Sequence, residues 1–151
     1  MTDRREAILA QLLVIATAAP GVNTAARNRM APTDDESPSI IIYDGDEATL
    51  ETDDGPGDLR RPSNKPRRIA MSATLEISLG ALPANAGTDI NGLRAYLLKT
   101  ILQDDTLLGL VQDAKGIHYL GCTMGSDLGR SLQANMILNF AFTYVLSVGD
   151  L

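Results

Sequence analysis

His118 and Cys122 are the residues best suited to covalent chemistry, and each is the only one of its type in the chain. A Cys–His pair works as nucleophile and base only when the thiolate lies within hydrogen-bond reach of the imidazole. Four positions apart on an extended strand, the two lie about 13 Å apart, at about 3.3 Å per residue. They meet only if the chain folds back at Gly121. The plainer expectation is a strand histidine and a small buried cysteine. No catalytic residue is assigned, and the expectation is a chain that is not an enzyme.

Metal and phosphate chemistry fare no better. Zinc sites draw on several His and Cys ligands, and this chain offers one of each. Asp44-Gly45-Asp46 opens like a calcium-binding loop. Such a loop needs an acid or amide at its fifth position, glycine at the sixth and glutamate at the twelfth. Those positions hold Ala48, Thr49 and Gly55. In Gly125-Ser126-Asp127-Leu128-Gly129 the serine directly follows the first glycine. A nucleophile elbow places it one position later. The same run lacks the Gly-Lys-Ser/Thr ending of a phosphate-binding loop. A turn is the expectation there, with no metal and no cofactor.

The remaining candidates are charged. Asp34, Asp35, Glu36, Asp44, Asp46, Glu47, Glu51, Asp53, Asp54 and Asp58 are ten of the 19 acidic residues. Arg60, Arg61, Lys65, Arg67 and Arg68 follow at once. An acidic stretch therefore runs straight into a basic one. In a ring of identical subunits the acidic segment of one copy can face the basic segment of the next, a head-to-tail contact that closes when the rotation allows. Asp34, Asp35, Glu36, Asp53, Asp54, Arg60, Arg61, Lys65, Arg67 and Arg68 are the candidate subunit or tube contacts. Simple solubility of a loop is the competing reading.

The totals bound the partners. The chain has 151 residues, the size of a single domain (1–151). Hydrophobic residues make up 44%, enough for a core, but aromatic residues make up only 4%, so that core is mostly aliphatic. Few rings argue against base-stacking platforms for single strands. The net charge of −6 argues against a specific nucleic-acid partner, which needs a basic face. One cysteine excludes an internal disulfide. The apolar stretch 7–19 is too short to span a bilayer. Asp3, Glu6 and Gln11 spoil the pattern of a signal peptide. A cytoplasmic protein without a membrane partner is expected.

The elements that must position these residues follow from periodicity. Ile8, Leu12, Ile15 and Ala19 line one face of a helix over 3–19. Asp3 and Glu6 resemble a capping box at its start, and Pro20-Gly21 ends it. Residues 22–30 give a weak strand, and Ser39 to Tyr43 a better one. Residues 31–66 read as largely loop, with Gly55-Pro56-Gly57 and Pro62 as turn markers. Strict alternation predicts a strand over 67–80 whose Ile69, Met71, Ala73, Leu75, Ile77 and Leu79 face the core. Thr88 or Asp89 can cap a second helix running to about Gln103, with Ile90, Leu93, Leu97 and Ile101 as its stripe. Asp104-Asp105 starts a short helical turn. Lys115-Gly116 turns into a strand over Ile117–Cys122. Gly121, Gly125 and Gly129 punctuate a loop or hairpin. Alternation over Leu132–Val148 gives the longest strand signal. A strand of that length bends at a bulge or projects beyond its sheet, and an unpaired edge points to assembly. The fold class expected is α+β: a two-layer, mostly antiparallel sheet with two main helices on one face and a long charged loop.

Four segments carry a resemblance. They are Arg4-Arg5-Glu6-Ala7-Ile8-Leu9, the helix end Leu102-Gln103-Asp104-Asp105-Thr106-Leu107-Leu108-Gly109-Leu110-Val111, the strand Gly116-Ile117-His118-Tyr119-Leu120-Gly121, and the terminal Phe140-Ala141-Phe142-Thr143-Tyr144-Val145-Leu146. In their order, and with a polar loop before the central strand, the chain resembles the tail terminator (minor tail protein U-like) family of long-tailed bacteriophages. The resemblance implies an α+β subunit that forms a hexameric ring on the last ring of the tail tube. That cap ends tube polymerisation and offers a surface to the head or its connector. It implies a virion protein assembled in the host cytoplasm. Its partners would be itself, the tail-tube protein and a head-completion or connector protein. No catalytic residue carries over, and residues 31–66 map least onto the pattern. Two other readings stand beside it: a head–tail joining (stopper) protein, and a small enzyme or ligand-binding domain using the loop around residues 116–129.

Overall fold

The computed structural model describes residues 3–29, 36–50, 66–81, 86–111, 115–125 and 133–151. In chain order the elements are α1 (Arg4–Thr17), β1 (Thr24–Arg27), β2 (Ser39–Thr49), β3 (Arg67–Ala81), α2 (Ala86–Gln103), α3 (Asp105–Leu110), β4 (Ile117–Gly125) and β5 (Gln133–Leu146), with a last 3-10 turn at Val148–Asp150. The five strands form one sheet in the order β1-β2-β3-β5-β4. All its pairings are antiparallel except β1 with β2. The α+β architecture expected from periodicity is therefore the one observed.

Alternation sets the layers. On β3, Ile69, Met71, Ala73, Leu75, Ile77 and Leu79 are buried, and on β5 so are Met136, Leu138, Phe140, Phe142 and Tyr144. These residues join Ile8, Leu9, Leu12 and Ile15 of α1 and Ile90, Leu93, Leu97 and Ile101 of α2 in one connected core. α1 lies over β1 and β2, and α2 over β3 and β5. The strand residues between those positions, such as Ser72, Thr74, Asn139 and Thr143, face away from the helices and are half-buried or exposed.

α1 starts where the Asp3 carboxylate accepts a hydrogen bond from the Arg5 backbone N–H at 3.1 Å. The capping box is not reciprocal, because Glu6 turns outward to Arg27. α2 begins at Ala86, two residues before the expected cap Thr88 and three before Asp89. Asp104 caps α3 through the Leu107 N–H at 2.9 Å.

Three expectations need correction. The first concerns 44–49, read as part of a charged loop. β2 continues through these residues to Thr49. β3 is long enough to pair with them, and that backbone pairing outweighs their weak strand propensity. A bulge interrupts the ladder, with Gly45 and Asp46 together facing Ser72. A Cβ at Gly45 would lie 2.4 Å from the Ser72 carbonyl oxygen, so only glycine fits. The bulge also shifts the alternation by one residue, which turns Glu47 toward the helices. There it accepts a hydrogen bond from the hydroxyl of fully buried Tyr144 at 2.8 Å and pairs with Arg5 at 3.5 Å.

The second correction concerns the last strand, expected to bend at a bulge or to project beyond its sheet with an exposed edge. β5 lies inside the sheet, paired with β3 on one side and β4 on the other. Its length is matched by β3, which pairs with it from Arg67↔Leu146 to Ala81↔Gln133. The bulges lie on its neighbours instead: β3 has the extra residue Gly80, and on β4 Leu120 and Gly121 together face Asn139. Gly121 has φ +115°, which an L side chain rarely adopts. The third correction is Cys122, which is exposed rather than buried.

Candidate interaction surface

The β4 bulge decides the fate of the Cys–His pair. His118 pairs across to Ala141 and faces away from the helices. Beyond the extra residue Leu120, Cys122 pairs with Leu138 and faces the helical side. The two side chains therefore point to opposite faces of the sheet. Fold-back at Gly121 does not occur.

β4 is the least covered element of the fold. It is an edge strand with β5 as its one described strand partner. The helical layer ends over β5. From α2 the Arg94 side chain reaches across, its guanidinium carbon 5.8 Å from the centre of the Tyr119 ring. Tyr119 in turn packs on Phe140, with ring centres 5.4 Å apart. Its hydroxyl is buried and makes no hydrogen bond among the described residues. Burial, and next the Cys122 thiol, push that phenol above its ordinary range against the pull of Arg94. Leu120 is 63% exposed and Met124 54% exposed. A strand edge that presents unpaired main-chain groups beside exposed apolar side chains is a template for another chain.

The opposite edge is tied down. Arg27 of β1 donates to Asp44 through Nε at 2.9 Å and Nη2 at 2.8 Å, and to Glu6 through Nη1 at 2.7 Å and Nη2 at 3.0 Å. These bonds hold Glu6 and Asp44 below the usual carboxylate range and raise Arg27 above its own. One guanidinium so joins α1, β1 and β2.

The outer face of the sheet carries a short polar row. Asn135 Nδ2 donates to Glu76 Oε1 at 2.8 Å, and the Tyr43 hydroxyl donates to the Arg29 carbonyl at 3.1 Å. Burial first, and then Glu76, raise the Tyr43 phenol. Tyr96, Lys99, Gln103 and Asp104 border an open depression of about 520 Å³ beside the end of α2. Among the described residues no group of His, Cys, Asp and Glu is placed to hold a metal ion. Among them no helix is long and apolar enough to cross a membrane.

Of the candidate contacts named from sequence, Asp34, Asp35, Asp53, Asp54, Arg60, Arg61 and Lys65 lie outside the described residues. Glu36 pairs with Arg29 of its own chain. Arg67 and Arg68 open β3 opposite Leu146 and Val145. Arg94, Tyr119, Leu120 and Met124 were not singled out from sequence. The signal for Arg94 was available, since it is a cation directly beside the apolar stripe of α2. The signal for the others was not, because alternation does not reveal which strand is an edge. Comparison with protein-family models matched none, and comparison with curated proteins returned no match.

Proposed function

We propose that this chain is a structural subunit of a long-tailed bacteriophage, forming a hexameric ring that caps the tail tube. The cap ends tube polymerisation and gives the head or its connector a surface to join. The reading starts from the resemblance in sequence and is supported by one observation above all. β4 stands beyond the helical layer with its outer edge, Leu120 and Met124 exposed. A subunit that assembles needs such a surface, and ring contacts between identical copies need two different patches on each. A geometric cap needs no catalytic group: one face complements the tube end, and the other cannot template a further tube ring. Its partners are other copies of itself, the tail-tube protein and a connector protein, and its place is the head-proximal end of the tail.

The test is to disrupt the gene in its phage and image the lysate by electron microscopy. Overlong, headless tails are the expected result. Tails of normal length that fail to join heads would move the chain to the joining position between tail and connector. Intact infectious particles would end the tail reading.

A further inference from the structure

We infer that two copies of this chain pair through their β4 strands, edge to edge, about a two-fold axis at Thr123. β4 is an edge strand built like an interior one. From Ile117 to Gly125 it holds no Asp, Glu, Lys, Arg or Pro, and the interior strand β5 holds none either. Proteins that keep an edge unpaired guard it with such residues, and the other edge strand, β1, carries Arg27. Among the described residues no strand pairs with the outer side of β4. Cys122, Thr123 and Met124 are all exposed there.

The ladder between β4 and β5 sets the register. Thr143 N–H donates to the Gly116 carbonyl at 2.8 Å. In an antiparallel pair every second residue turns its main chain to the same side, so Ala141, Asn139 and Ile137 of β5 also turn toward β4. Ile137 pairs with Thr123, which therefore turns its main chain toward β5. Cys122 and Met124, on either side of it, turn their N–H and C=O groups outward. The bulge at Leu120 and Gly121 lies before this stretch, which is regular to Gly125. A second β4 running antiparallel sets Cys122 of one copy opposite Met124 of the other, and the two exchange both N–H···O bonds. Thr123 then meets its own copy, and Gly121 meets Gly125.

Faces and charge agree with that register. Cys122 and Met124 pair with the buried Leu138 and Met136, so both lie on the helical side. Like faces therefore meet, and Met124 gains an apolar neighbour in the other copy's Cys122. The axis stands perpendicular to the sheet and keeps both helical layers on one side. Each layer ends over β5, which leaves the two β4 strands between them. Two chains of net charge −6 repel at long range. The uncharged stretch Cys122–Met124 is where they meet with no like charges opposite. The pairing goes beyond the ring reading. It closes, in the free chain, the edge that the ring uses, so a paired subunit has to part from its copy before it joins the tube.

Sedimentation equilibrium of the full-length chain is expected to show a two-subunit particle that parts on dilution. Thr123→Lys and Thr123→Glu each set like charges directly opposite across the axis, and each is expected to weaken the pair about fivefold. An equal mixture of the two variants is expected to restore it, which an unfolded variant cannot do. A second measurement reads the register. Across the axis the Thr123 Cα atoms lie about 4.5 Å apart, within the reach of a disulfide, about 4.4–6.8 Å. Thr123→Cys in a Cys122→Ser background is expected to give a linked dimer on a non-reducing gel. His118→Cys in the same background, exposed on the same face but away from the axis, is expected to stay largely unlinked. Monomers at every concentration, a pair indifferent to charge at position 123, or equal linking at 118 and 123 would each overturn the pairing. All of these are read on the free protein, and the gene disruption is read on the tails, so failure of the pairing and failure of the tail reading are told apart.

Discussion

Replacing Arg27 with alanine tests whether the edge of the sheet is held by charge or by packing. The guanidinium makes four hydrogen bonds of 2.7 to 3.0 Å to two carboxylates. A hydrogen bond to a charged group is worth about 1.5–3 kcal/mol when shielded from water, and exposed ion pairs are worth under about 1 kcal/mol. The Arg27 and Asp44 side chains are 23% and 22% exposed, while Glu6 is 55% exposed. The Asp44 half therefore dominates, and a loss of about 2 kcal/mol is expected at pH 7. For a chain of this size that is a fall in Tm of roughly 4–8 °C. The pH dependence discriminates further. Asp44 and Glu6 are held below their ordinary range, Asp44 chiefly by its hydrogen bond from Arg27. A carboxylate with a depressed folded-state pKa contributes stability above its unfolded value of about 4 and loses it as pH falls through the folded value. Arg27 stays charged throughout. The gap between wild type and Arg27→Ala, measured by urea denaturation, is expected to be full at pH 7 and to narrow steadily below about pH 4. A gap that stays constant down to pH 3 would refute the ionic account and leave packing of the arginine stem as the cause.

Three further substitutions test the core and the bulges. Gly45→Ala forces a Cβ to 2.4 Å from a backbone carbonyl and is expected to cost about 1–3 kcal/mol in chemical denaturation. Gly109→Ala, in α3 with open space around it, is expected to stabilise by up to about 1 kcal/mol in the same assay. Tyr144→Phe removes a hydroxyl that donates to Glu47 and is expected to cost about 1–2 kcal/mol. Burial raises the Tyr144 phenol well above its ordinary value of about 10. Its contribution is therefore present below that value and falls as the pH rises beyond it. Above about pH 10 the wild type is expected to lose stability faster than the Tyr144→Phe variant.

What the sequence revealed follows from what alternation measures. On β3 and β5, strict two-residue periods separate Ile69 from Ala70 and Phe140 from Ala141, so the buried faces were legible residue by residue. The stripe Ile90, Leu93, Leu97, Ile101 placed α2 in the same way. Bulges were not legible, because one inserted residue reverses every face beyond it. Glu47 and Cys122 both sit past a bulge, and both turn to the side opposite to the one that counting assigns. β2 past Tyr43 was missed for another reason. Its polar residues Asp44 and Glu47 are held by Arg27, Arg5 and Tyr144, which are remote in sequence.

Strand order was the other hidden quantity, and it moves the argument for assembly. A long last strand suggested an exposed edge at residues 132–148, yet β5 is paired on both sides. Among the described residues the edge without a strand partner belongs to the shorter β4. A long strand exposes its backbone only if its neighbours are short, and here β3 matches β5 along its length. Among the described residues β4 pairs with β5 on one side only, and its bulge bends that edge. The strand therefore keeps the hazard that edges carry, with Leu120 and Met124 adding apolar surface to it. The opposite edge, β1, is four residues long and fastened through Arg27, which is how a monomer protects an edge. Among the described residues one edge of the sheet is fastened and the other has no strand partner, an asymmetry that suits the proposed head-to-tail ring.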